Sequence, residues 1–427
     1  MQRFIAALMA AASCAGIAHA QTAPLSGVPT AAPAGGDVVT LESALAQGGA
    51  ASPSIEASTA GVRAATAARS VAGLRPNPEI QATTENVAGT GVYKGLRSSE
   101  TTVGVALPLE LGGKRSARVA LANARLTRAE IQSAIAIADL RLRITQLYVE
   151  AAAAERRTEV LGEQATIAAN ALRIASERVR AGAASPIEQQ RADVLRINAQ
   201  VAADSAARQA QAARSNLAAL TGAPITGSLD RGWFDQVASL YGPAQPLEVE
   251  GTLAFVAATA DVRTADAQVR LARTLRVPDV TISAGARRLE QTNDTAAVIG
   301  VSIPIPIFNN GRAFVSQARA EQTQAQALRN LVVLDTRQEI ARAQTELANA
   351  AATARATGGP ALSAAAESAR IARVGYAQGK FDQIALLDAE RTLSQTRQSY
   401  VDALAAYHDA EARLQRLTTP APLAGER

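Results

Sequence analysis

Aromatic residues make up only 3% of the 427-residue chain, and it holds one cysteine and two methionines. A core so poor in rings cannot be bulky and globular. The dominance of alanine, arginine, glutamine and leucine suits long, closely packed helices instead. The scarcity deepens after the N-terminus. Residues 1–20 read as a secretory signal, with Arg3 in a charged start, a short apolar centre and Ala18-His19-Ala20 as a small-x-small cleavage site. A spanning helix needs about 20 apolar residues, more than this segment offers. Cleavage after Ala20 removes Met1, Met9 and Cys14 and leaves His408 as the sole histidine. Disulfides, thiolate or thioether ligands and multi-histidine metal sites are then excluded, so neither a metal centre nor a cofactor is expected. Lipidation of Cys14 is the competing fate of this segment, although Ala11-Ala12-Ser13 lacks the large residue usual upstream.

Charge of one sign is also missing. The 43 basic and 38 acidic residues are interspersed, so the net charge of +5 forms no basic patch and no nucleic-acid partner is expected. No glycine-rich phosphate loop follows a strand, and no Ser-His-Asp set is present. Glu248 and Glu250 are paired acids in an irregular stretch with nothing to polarise them. The chain is therefore not expected to be an enzyme.

What is present is a plan that occurs twice. Residues 21–36 form a Pro/Gly-rich leader. A helix is expected from Thr40 to about Ala72, stopped by Gly73-Leu-Arg-Pro-Asn-Pro78. Strands are expected at Glu79–Val87 and Thr101–Leu109, the latter alternating Val103, Val105, Leu107 and Leu109 with smaller or polar residues. A proline-free helical run from Ser116 to Val179 follows, about 95 Å long at 1.5 Å per residue, too long for a globular core. Gly182 ends it, and Ser185, Pro186 and Glu188 fit an N-cap, a first-turn proline and the third residue of a capping box. The helix returning from Pro186 ends near Leu220. Residues 223–250, with the only Trp (Trp233), form a linker.

The order then repeats: a helix from Leu253 to Arg276, strands at Pro278–Leu289 and Ala296–Pro306, a helix from Arg312 to about Gln378 disturbed at Gly358-Gly359-Pro360, a turn at Gly379, and a helix from Asp382 to Leu417. Arg115 and Arg312, Gly182 and Gly379, and Leu220 and Leu417 each lie 197 residues apart. Residues 37–222 and 251–418 thus form two repeats, and 419–427 a tail. Four strands cannot close a barrel and an open edge is not tolerated in lipid. Either the strand pairs are soluble parts of a periplasmic coiled-coil scaffold, or several copies build one barrel above a helical duct.

From about Val38 to Thr418 the chain resembles the outer-membrane efflux proteins of the TolC type. The resemblance is carried by Leu74-Arg-Pro-Asn-Pro-Glu79, Leu107-Pro-Leu-Glu-Leu-Gly-Gly-Lys-Arg115 and Gly375-Tyr-Ala-Gln-Gly-Lys-Phe-Asp-Gln-Ile-Ala-Leu-Leu-Asp-Ala-Glu-Arg-Thr-Leu393. The first two are most similar to the branch paired with cobalt-zinc-cadmium and copper pumps. The resemblance implies a mainly α fold with a small β part: long coiled-coil hairpins below a twelve-stranded barrel shared by a homotrimer in outer-membrane lipid. It also implies a periplasmic tunnel, a periplasmic adaptor (membrane fusion) protein and an inner-membrane RND-type pump. A duct for type I protein secretion is the alternative within the same fold.

By the same resemblance, Tyr376, Asp388 and Glu188 are candidates for the periplasmic gate. The family's gate arginine is replaced by Phe381, with Lys380 beside it, and a second ring acid by Ala385. The capping role of Glu188 explains it equally well, and a solvated face competes with the pore for Asp388. The docking tips are Ala181-Gly182-Ala183-Ala184-Ser185-Pro186 and Ala377-Gln378-Gly379-Lys380-Phe381.

Overall fold

Proline and glycine set most of the boundaries in the structure, a computed structural model that describes residues 38–238 and 248–422. The signal segment 1–20 with Cys14, the leader 21–36, part of the linker and the last five residues of the tail lie outside the described residues. The first helical stretch is two helices, α1 (Leu41–Ala51) and α2 (Pro53–Ala72), where one was expected. Pro53 takes the first-turn position of α2 and holds Ser52 extended at φ −79°, ψ 123°, because a residue before proline is pushed out of the helical region.

Strands β1 (Glu79–Glu85) and β2 (Glu100–Leu109) pair antiparallel. Helix α3 (Lys114–Arg180, 67 residues) then runs about 100 Å and turns into α4 (Pro186–Thr221). A short helix α5 (Arg231–Phe234) breaks the linker. The second half supplies α6 (Leu253–Thr274), β3 (Val280–Leu289), β4 (Asp294–Ser302), α7 (Arg312–Ala356), a π-helical turn (Thr357–Ala361), α8 (Leu362–Ala377) and α9 (Gln383–Thr418). β4 stops before Pro304 and Pro306, which have no N–H to donate to a ladder. The disturbance expected at Gly358-Gly359-Pro360 is the π-turn, which carries the helical backbone from α7 into α8 without a break.

The four strands form one antiparallel sheet in the order β1-β2-β3-β4, so β2–β3 joins the two halves and β1 and β4 are edges. Its faces differ. Ile80, Val103, Val105, Leu107, Ile282, Ile299 and Val301 project from one face and are exposed; Gln81, Thr83, Glu85, Glu100, Thr102, Ser283 and Arg287 share the other. Among the described residues no helix is long and apolar enough to cross a membrane.

The helices pack on small side chains. The main core gathers Ala151, Ala152, Ala153 and Ala154 of α3 with Leu217, Phe234 and Leu404 around the fully buried Tyr148. Tyr148 donates to the Val39 carbonyl (2.7 Å) and accepts from the Asp230 N–H (2.9 Å), pinning both the incoming chain and the linker. His408 stacks on Trp233 (centroids 4.2 Å apart), with its Nε2 2.9 Å from the Phe234 carbonyl oxygen.

Candidate functional site

Both long hairpins turn with the same hydrogen bonds. At the first tip Ala183 N donates to Arg178 O (2.8 Å) and Gly182 N to Val179 O (3.0 Å). At the second, Lys380 N donates to Gly375 O (2.8 Å) and Gly379 N to Tyr376 O (3.0 Å). These are paired 6→1 and 5→2 closures around Gly182 and Gly379, each at φ +70°, a conformation that favours glycine. The returning helices begin differently. Asp382 Oδ1 accepts from Ala385 N (2.9 Å), whereas Ser185 Oγ accepts from Ile187 N at 3.5 Å. The expected capping box does not close: among the described residues the Glu188 carboxylate makes no bond to the Ser185 amide. Its carboxylate instead lies near enough to Tyr376 to act on that hydroxyl.

The tips are open to solvent. Ala181, Gly182, Ala183, Ser185, Pro186, Ala377, Gln378, Gly379, Lys380 and Phe381 are exposed, and Ala184 is half-buried. Phe381 nonetheless has a packing role. Its ring occupies the space left by Gly375, where a Cβ would lie 2.2 Å from the ring.

Behind the tips the two hairpins meet through residues that sequence reasoning did not pair. Tyr376 is 3% exposed, packed with Ala372, Leu386 and Ala389. The Arg178 guanidinium, from the first hairpin, lies 4.9 Å from the centroid of the Tyr376 ring, over its face. No arginine stands at the Phe381 position, yet one reaches this tyrosine from the other repeat. Burial pushes the Tyr376 hydroxyl above its usual pKa; the Arg178 charge opposes this and Glu188 adds to it. Neither the Tyr376 hydroxyl nor Arg178 Nε has a hydrogen-bond partner among the described residues, although both are buried. Gln383, also buried, donates from Nε2 to the Glu188 backbone carbonyl at 3.2 Å, a second bond between the tips. Only their position beside the two glycine turns marked Arg178 and Gln383 in the sequence.

Asp388 stands apart from this cluster. It is exposed and borders a cavity of about 820 Å³ between α3–α4 and α8–α9, with Ile167, Ile174, Leu195 and Leu387 on the walls. Glu390, on the same helix but 3% exposed, accepts a two-pronged pair of bonds from Arg373, one of 2.8 Å, which staples α8 to α9. Among the described residues no group of three or more His, Cys, Asp or Glu side chains is arranged to hold a metal.

Long helical hairpins under a four-stranded, two-edged sheet are the architecture of TolC-like outer-membrane channels. The chain belongs to the outer membrane efflux protein family, whose model matches residues 44–223 and 249–419. It is 32% identical over 353 residues to the cobalt-zinc-cadmium resistance protein CzcC of Cupriavidus metallidurans, covering 80% of this chain and 81% of that protein. Its fold is similar to that of the outer membrane protein VceC from Vibrio cholerae, with a TM-score of 0.71 at 21% identity over 89% of this chain and 96% of that one. It is also similar to CusC, with a TM-score of 0.74 at 17% identity over 90% of this chain and 93% of that one.

Proposed function

We propose that this chain is one third of an outer-membrane duct that receives its cargo from a periplasmic adaptor and an inner-membrane RND-type pump, and that the cargo is a divalent heavy-metal cation. The observation that carries the duct is the sheet. Its apolar face is open, and among the described residues β1 and β4 each leave their outer edge unpaired, which lipid does not tolerate. β4 runs antiparallel to β1, so β4 of one copy continues onto β1 of the next, and three copies bring twelve strands to one barrel. The cargo class rests on the similarity to CzcC. The chain itself selects no soft metal by coordination, because the segment past residue 20 has no sulfur and one histidine.

The gate reading assigns Arg178, Tyr376 and Glu188 to a latch that holds the two hairpins together at the closed end. Asp388, repeated around the axis, forms a ring of carboxylates that attracts and retains multivalent cations. The exposed tips dock the adaptor.

Purified protein in planar bilayers tests this reading. Wild type should conduct in small closed-state steps that multivalent cations block, Arg178→Ala should enlarge the steps, and Asp388→Ala should weaken the block about tenfold. No conductance at all removes the duct, and a block that survives Asp388→Ala removes that residue from the pore.

A further inference from the structure

The polar face of the sheet carries several carboxylates and a single cation. Thr281, Ser283, Gly285, Arg287 and Leu289 of β3 share this face, and the register sets Thr102 opposite Arg287 and Glu85 opposite Glu100. Glu79, opposite Ala106, and Asp294, opposite Leu289, project from it as well. Among the strand residues, then, Glu79, Glu85, Glu100 and Asp294 face the same way, with Arg287 as their only basic neighbour. The adjacent Arg288 belongs to the opposite face and is occupied by Glu290 and Asn293 at 2.9 and 2.7 Å.

Arg287 reaches across three strands. Its Nε donates to Thr102 Oγ1 (2.9 Å), its Nη1 to Glu100 Oε2 (2.9 Å), and its Nη2 lies 3.1 Å from Glu85 Oε2. A guanidinium is the group suited to this, since its rigid fork can serve two carboxylates at once and stays charged at any physiological pH. The cluster is partly open, with the Arg287, Glu85 and Glu100 side chains 34%, 51% and 28% exposed, so its charge is felt by the space in front of the sheet.

We propose that Arg287 is a specificity-determining residue of the duct: by gripping Glu85 and Glu100 it limits how strongly the barrel lumen prefers cations. This rests on the duct reading above. There the apolar face must meet lipid, so the polar face lines the lumen, near the outer end where β1 hands over to β2. Glu85, Glu100, Leu289 and Asp294 stand in one row of the register, so with Arg287 beside it each copy contributes three carboxylates and one guanidinium at this level, a net charge of −2, and three copies make a ring. Without the guanidinium the same ring is nine unshielded carboxylates. A ring of one sign in a narrow aqueous pore is what sets the cation-to-anion permeability ratio.

The test is the reversal potential of the full-length protein in planar bilayers under a potassium chloride gradient, with assembly checked by elution volume in detergent. Arg287→Gln should raise the cation-to-anion permeability ratio by roughly threefold or more. Arg287→Lys, which keeps the charge, should stay near wild type. The double variant Glu85→Gln/Glu100→Gln should fall below it; should Arg287→Gln not assemble, this variant decides. Unchanged reversal potentials in conducting Arg287→Gln and Glu85→Gln/Glu100→Gln channels would overturn the inference and leave the duct standing, as would an Arg287→Lys shift equal to that of Arg287→Gln. A wild-type protein that does not conduct refutes the duct itself, and this role of Arg287 with it.

Discussion

Tyr148 shows how one side chain can carry more of the architecture than its neighbours. Its hydroxyl is satisfied only by backbone groups of the incoming chain and of the linker, and burial pushes its pKa up to about 12 from 10.0. A raised pKa means the folded state favours the neutral phenol. The stability it contributes is whole below about pH 10 and is lost as pH rises toward 12. Alkaline unfolding followed by far-ultraviolet circular dichroism should therefore steepen in that window. Tyr148→Phe should shallow the slope while costing roughly 1–3 kcal/mol at neutral pH, because the Asp230 N–H is left without its acceptor. An unchanged slope would mean that other groups control alkaline unfolding. Neither partner of Tyr148 was legible in the sequence, since Val39 and Asp230 contribute only backbone atoms. His408 was legible as the sole histidine past residue 20, but its use was not: it stacks on Trp233 and anchors the linker. The same limit applied at the tips. Glycines and caps announced two turns, and the Tyr376 position followed from family resemblance, but Arg178 meets it only because the two hairpins lean together.

Elements were easier to read where backbone chemistry decides them. Prolines and left-handed glycines placed the tips at Gly182 and Gly379, and alternation placed β2. Pro53 was the missed signal, since an N1 proline starts a helix as readily as it interrupts one. Less visible was the seam between α3 and α9, where Asp139–Arg416, Gln146–Asp409, Arg157–Asp402 and Glu163–Arg397 form rungs between the two repeats. Beyond Glu163 the rungs stop and the cavity bordered by Asp388 opens, as far as the Arg178–Tyr376 contact. The π-turn lies level with the last rung, and the Tyr400 ring fills the hollow left by Gly358, where a Cβ would sit 2.2 Å from the ring. Gly358→Ala must displace Tyr400 and should cost about 1–3 kcal/mol in thermal unfolding. Gly359→Ala meets nothing within 4 Å and should be neutral or stabilising. Equal effects of the two substitutions would show that the hollow plays no part in holding the turn.

At the scale of the whole molecule, each half looks incomplete alone. The sheet needs β2 from one repeat and β3 from the other, and the tips are joined across the repeats by Gln383 to Glu188. One chain is incomplete in the same way: it leaves two strand edges and an apolar sheet face uncovered. A closed ring of copies resolves both at once, and no single-chain arrangement does. Electron cryo-microscopy of the full-length protein extracted in detergent tests this most directly. The account predicts a threefold assembly in which β4 of each copy pairs with β1 of the next to close twelve strands above a helical tunnel. A monomer that is soluble without detergent and keeps its four-stranded sheet open, or a ring with another number of copies, would contradict it.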